Sequence, residues 1–88
     1  MAFQVLLYPP VRQKLEKLDN TQYTRYLKAL GRLEREDLHF RHLKHGLPFF
    51  VDEAGGERIV FEEDKGKKMR SVLFLGDHKE YREWYSSN

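Results

Sequence analysis

Apolar and polar positions follow three different rhythms along this chain. Residues 2–8 form a short, apolar, β-prone run that Pro9 and Pro10 close. Phe3, Val5 and Leu7 share one face of it. Leu6 and Tyr8 make the other face partly apolar, which suits an interior strand. Pro10 fits the first turn of a helix, where its missing N–H is not needed. Val11, Leu15 and Leu18 then recur at steps of four and three, one helical face. Asp19-Asn20-Thr21 ends that helix and caps a second one from Thr21 to Arg35. Tyr23, Leu27, Leu30 and Leu33, with Tyr26 beside them, are its expected buried stripe. Gly31 costs about 1 kcal/mol there relative to alanine, and is expected to admit close packing against the first helix. The pair reads as an αα-hairpin.

Residues 36–47 keep no period, and Gly46 and Pro48 punctuate their end. Phe49-Phe50-Val51 is a short strand, and residues 52–56 supply a turn with Gly55-Gly56. Residues 57–62 form the next strand, residues 63–68 a polar hairpin loop, and residues 69–75 the last strand. Short turns between consecutive strands imply antiparallel pairing. Asp77 and Glu80 have the spacing of a capping box that opens a short helix. Tyr81, Trp84 and Tyr85 fall on one face of that helix. The expected fold is α+β, a single domain over residues 1–88. It has an N-terminal strand, a two-helix hairpin, an antiparallel three-strand meander and a short C-terminal helix. The helical hairpin is expected on one face of the sheet.

Composition narrows the picture. Eighty-eight residues are one domain's worth of chain. The absence of cysteine excludes disulfides and thiolate metal sites. No apolar run approaches the roughly 20 residues of a membrane span, and the opening run lacks the basic start of a signal peptide. A cytoplasmic protein without a membrane partner is expected. The net charge is +2, with residues 1–47 balancing to +4 and residues 48–88 to −2. The basic half either faces a polyanion or acidic partner, or simply solvates two helices.

Strict alternation points Ile59 and Phe61 at the helices, and Arg58, Val60 and Glu62 away. In the last strand Met69, Ser71, Leu73 and Leu75 alternate with Arg70, Val72 and Phe74. Arg58 and Arg70 are therefore expected to project from the same open face, with His78 and Tyr81 at the end of the sheet. Two guanidinium groups, an imidazole and a phenol suit phosphodiester chemistry with no cofactor and no metal. The same residues have plainer uses. Arg58 can pair with Glu62 or Glu63, and the closing aromatics can pack a helix on the sheet. His39, His42 and His45 recur every three residues. Lacking cysteine or carboxylates at metal-ligand spacing, they read as surface or RNA-facing residues.

The order strand–helix–helix–three strands resembles the RelE/ParE superfamily of toxins from type II toxin–antitoxin systems. So do Leu43-Lys44-His45-Gly46, Arg58-Ile59-Val60-Phe61, and the run from Val72 through Gly76-Asp77-His78-Lys79-Glu80-Tyr81. The RelE branch of that family cleaves messenger RNA in the ribosomal A site without a metal, the RNA's own 2′-hydroxyl attacking the adjacent phosphate. The resemblance implies that Arg58 contacts the scissile phosphate, Arg70 is a second cation, His78 is an acid or base, and Tyr81 closes the motif. Lys44, His45, Lys67, Lys68 and Lys79 are the expected RNA-binding residues. The implied partners are a cognate antitoxin protein, mRNA and the ribosome. Phe49-Phe50-Val51-Asp52-Glu53 departs from the pattern, since active members carry basic residues there. An acid beside a phosphate opposes binding unless it serves as the base, a role open to Glu53 or Glu57. Two other functions fit the same fold: a ParE-like topoisomerase inhibitor, and a non-catalytic module that keeps only its antitoxin or nucleic-acid surface.

Overall fold

The computed structural model describes residues 2–43, 49–53 and 56–87. Its elements run β1 (Gln4–Leu7), α1 (Pro9–Glu16), α2 (Asn20–Arg32), β2 (Arg41–His42), β3 (Phe49–Asp52), β4 (Glu57–Asp64), β5 (Met69–Asp77) and α3 (His78–Ser87). The class is α+β. The five strands form one sheet in the order β1-β5-β4-β3-β2. The β3–β4–β5 meander is antiparallel, as the short turns require. β1 lies beside β5 and runs parallel to it, so it is an edge strand and not an interior one. β2 adds a two-residue strand within the stretch that has no sequence period.

Local signals set the helix limits. Pro9 and Pro10 open α1, with no N–H lost to the ladder. The Asp19 carboxylate accepts a hydrogen bond from the Gln22 N–H at 2.9 Å and caps α2. Asp77 and Glu80 form the reciprocal box of α3: Asp77 N–H donates to Glu80 Oε1 at 3.1 Å, and Glu80 N–H donates to Asp77 Oδ1 at 2.8 Å.

The core lies between one sheet face and the first two helices. Val11 and Leu15 of α1, with Tyr26, Leu30 and Leu33 of the α2 segment, bury against Ile59, Phe61, Val72 and Leu75. The buried stripe of α2 is rotated from the one expected. Tyr23 and Leu27 stay 38% and 48% exposed, and Tyr26 takes the inner position at 6%. Both stripes share Leu30 and Leu33, so periodicity does not separate them. Gly31 does not serve close packing, because a Cβ placed there meets nothing within 4 Å.

One irregularity decides which side chains share a face. Val60 pairs with Phe74, but Phe61 pairs with Val72, leaving Leu73 as an extra residue in β5. Beyond that bulge the alternation of β5 is inverted. Leu75, Val72 and Arg70 thus sit opposite Ile59, Phe61 and Glu63, on the helix side. Phe74 and Gly76 sit opposite Val60 and Arg58, on the other side, where α3 packs.

Candidate functional site

The face under α3 is assembled from rows of paired residues. Arg41, Val51, Val60 and Phe74 form one row across β2, β3, β4 and β5. Arg58 and Gly76 form the next, towards the start of α3. The first row is roofed by aromatics of α3. Trp84 stacks on Phe74 with centroids 5.0 Å apart, and Tyr81 lies 6.3 Å from Phe74 and 6.4 Å from Trp84. This roof leaves Val51 and Val60 at 2% and 0% exposure.

At its rim the charged groups meet. The Glu53 carboxylate lies between two arginines, 2.8 Å from Arg41 Nε and 3.5 Å from Arg58 Nε. The Arg58 guanidinium is largely enclosed and also donates from Nη1 to the carbonyl oxygens of Glu53 and Glu57, at 3.4 and 3.3 Å. Its Nε is buried and makes no hydrogen bond. Arg58 Nη2 reaches His78 Nδ1 at 3.3 Å. Arginine has only donors, so Nδ1 is the acceptor and the ring proton belongs on Nε2. The Tyr81 phenol is pushed above its ordinary value by burial, with Arg41 and Arg58 opposing and Glu53 adding to the rise. It is a protonated donor at neutral pH. Arg41, Leu43, Tyr81, Arg82 and Tyr85 line a shallow groove that continues from this cluster.

Of the residues singled out from the sequence, Arg58, His78 and Tyr81 come together. Arg70 does not join them. It lies on the opposite face, 3% exposed, because the Leu73 bulge inverts the strand ahead of it. There Arg70 Nε donates to Glu63 Oε1 at 2.8 Å, and Nη1 donates to the carbonyls of Leu33 and Arg35 at 2.7 and 2.9 Å. Its guanidinium carbon stands 3.8 Å from the Phe3 ring centroid. This arginine ties the end of α2 to the sheet. Asp52 and Glu53, neighbours in sequence, are also parted. Asp52 is buried on the helix side against Arg32 Nε at 3.0 Å, and only Glu53 faces the site.

Lys67 and Lys68 sit at the β4–β5 turn, the far end of β5, roughly 25 Å from Gly76 at the usual strand rise. Lys68 is paired with Glu36 there. His39 and His42 line a second cavity with Phe3, Phe40 and Arg70, on the helix side. Lys79 is exposed at the start of α3, where it borders a cleft with His78 and Arg82. Lys44 and His45 lie outside the described residues. Arg41 was missed by sequence reasoning because the stretch around it shows no period. Its signal is positional: it follows Phe40 and precedes His42, whose rings pack against Phe61 and Phe50 on the opposite face.

Among solved structures, the chain is similar to the RelBE2 toxin–antitoxin complex of Mycobacterium tuberculosis. That match has a TM-score of 0.75 and 21% identity, covering 89% of this chain and 93% of that one. A mutant of the Escherichia coli toxin RelE in the free state matches with a TM-score of 0.72 and 21% identity, over 98% and 93% of the two chains. A RelE–RelB complex from the archaeon Pyrococcus horikoshii gives 0.66 and 21% identity, over 88% and 96%. No family model and no curated protein matches the chain. The fold is that of the RelE toxins.

Proposed function

We propose that this chain is the toxin of a toxin–antitoxin pair and cleaves messenger RNA without a metal, in the cytoplasm and on the ribosome. The observation that carries the reading is the meeting of Arg41, Glu53, Arg58 and His78 under α3 of a RelE fold. Arg58 and Arg41 offer a forked cationic cradle for the scissile phosphate. Glu53 occupies that cradle in the free protein, and an incoming phosphate displaces it. The freed carboxylate takes the proton of the 2′-hydroxyl as that oxygen attacks phosphorus. As Arg58 turns to the phosphate it releases His78 Nδ1, which takes up a proton from solvent. The bond to the 5′-oxygen breaks, the imidazolium gives its Nε2 proton to the leaving oxygen and returns to the neutral ring, and Glu53 returns the proton it took to solvent. The products are a 2′,3′-cyclic phosphate and a 5′-hydroxyl. Tyr81, held protonated, donates to a non-bridging oxygen and offers its ring to a base. Arg82 and Lys79 extend the cationic path along α3.

The antitoxin reading draws on the fold shared with chains from RelBE complexes and on the outer face of α2. There Tyr23 and Leu27 are exposed one turn apart on a hairpin rich in Lys and Arg. Such a face suits an amphipathic, acidic segment.

Wild type and Arg58→Ala are to be induced side by side and RNA ends mapped. Wild type is expected to arrest growth and create new 5′-hydroxyl ends, and Arg58→Ala to lower their yield about 100-fold. DNA-damage signalling with intact mRNA would replace this reading by topoisomerase inhibition. A healthy culture with intact transcripts would leave only a binding module.

A further inference from the structure

We infer that Lys14, on α1 and on the far side of the sheet from the arginine cradle, is a positioning residue for the site. It sets where α3 begins, and α3 carries His78 and Tyr81. The role in cleavage rests on the nuclease reading above. The anchoring of α3 does not.

The Lys14 ammonium reaches past the end of β5. It donates to the Leu75 carbonyl oxygen at 2.7 Å and to Glu80 Oε2 at 2.6 Å, and stands 5.3 Å from the Phe74 ring centroid. Those three acceptors belong to the end of β5 and the first turn of α3. Glu80 is engaged at both oxygens, since its Oε1 accepts the Asp77 N–H and closes the capping box. Lys14 therefore fixes the carboxylate that starts the helix. Asp77 immediately precedes His78, whose Nδ1 receives Arg58. A short path runs from α1 through Glu80 and Asp77 to the imidazole.

Gly76 supplies independent support. A Cβ at Gly76 would lie 2.9 Å from Lys14 Nζ, 2.8 Å from Phe74 Cζ and 3.0 Å from Glu80 Cβ. The backbone is bare where the ammonium crosses from one side of the sheet to the other. The ion pair is partly exposed, at 30% and 44%. Pairs of that kind add little to global stability, so the effect belongs to the local geometry of α3.

The test uses the full chain with Lys14→Met, which keeps the apolar stem, and Glu80→Gln, which keeps the cap acceptor. Trp84, the only tryptophan, reports the docking of α3 by near-UV circular dichroism. Amide exchange reads residues 78–81, and single-turnover cleavage of RNA reads chemistry. Both variants are expected to keep the far-UV spectrum, change the Trp84 signal and speed exchange in α3 about tenfold. The rate at saturating RNA should fall about tenfold with KM within about twofold, and the double variant should be no worse than either single one. Unchanged exchange in α3 would overturn the inference, as would faster exchange with an unchanged cleavage rate. Should the wild type cleave no RNA, the nuclease reading falls by itself. The ¹⁵N shift of His78 Nδ1 then replaces the rate: a change in Lys14→Met supports positioning, and an unmoved shift overturns it. Should Lys14→Met fail to fold, Glu80→Gln carries the same readouts.

Discussion

Glu53 lies beside Arg58 at the end of the sheet, its carboxylate 3.5 Å from the arginine Nε and its carbonyl oxygen 3.4 Å from Nη1 of the same guanidinium. An acidic residue just past the end of β3 is thus in contact with the arginine that reaches His78. A carboxylate on an arginine fork has the charge and the oxygens of a phosphate edge.

Replacing Glu53 separates binding from chemistry. Glu53→Gln leaves both arginines without their anion, so a 2′-deoxy RNA that cannot be cleaved should bind about tenfold more tightly at low salt. Single-turnover cleavage of the ribose form should fall by at least about 100-fold, because the base is gone. Filter binding and quenched-flow cleavage on one preparation measure both. Weaker binding by the variant would rule out the displacement of Glu53 by phosphate.

Replacing Arg70 should cost folding far more than replacing Arg58. Arg70→Met leaves Glu63 buried without its partner and frees the carbonyls of Leu33 and Arg35. A cost of about 3–5 kcal/mol is expected in urea unfolding. Arg58→Ala should cost less, about 1–2 kcal/mol, because its carboxylate partner Glu53 is left solvated rather than buried. Equal costs would contradict the face inversion at Leu73.

Gly31 lies in the last turn of α2 with open space around it. Gly31→Ala is expected to raise stability by about 0.5–1 kcal/mol, through helix propensity and a less flexible unfolded chain. Thermal unfolding of the two proteins at equal concentration checks it.

Alkaline stability should depend on Tyr26. Burial, with Glu80, Glu57 and Asp77 nearby, pushes its phenol up to about 12 from 10.0. Below pH 10 the phenol is neutral in folded and unfolded chains, and its contribution is complete. Between about pH 10 and 12 only the unfolded chain ionises, so stability falls as pH rises, by at most about 2–3 kcal/mol. Tyr26→Phe should lose less stability than wild type over that window. Parallel urea titrations of the two proteins at pH 9 and 11 measure that difference.

The sequence made some of this legible for definite reasons. Asp19 and Asp77 mark helix starts because their side chains satisfy backbone N–H groups that have no other local partner. Short polar turns fix the β3–β4–β5 meander. Arg58, His78 and Tyr81 were found together because the pairing near Gly76 precedes no irregularity. The misplacement of Arg70 has one cause: a single unpaired residue, Leu73, shifts the alternation by one, and nothing in Val72-Leu73-Phe74-Leu75 marks it. All four residues are apolar, so either phase buries a greasy face. Arg41 was hidden for another reason. A strand of two residues is too short to show alternation, and its position comes wholly from pairing with β3. The stripe of α2 was ambiguous because Tyr23 and Tyr26 offer equivalent starting points, and burial against the sheet chose the second.

The parallel pairing of β1 with β5 also has a consequence in time. Gln4 meets Met69, so the two strands of this contact are separated by about three quarters of the chain. While the protein is being synthesised, β1 has no sheet to join until β5 has emerged. The meander and the helices can form from nearer contacts, but closing this edge comes late and pays the largest loop entropy. Until then Arg70 lacks the Phe3 ring that covers it. The nascent chain therefore passes through a stage with an open sheet edge, and a partner present during translation meets that edge before the finished molecule exists.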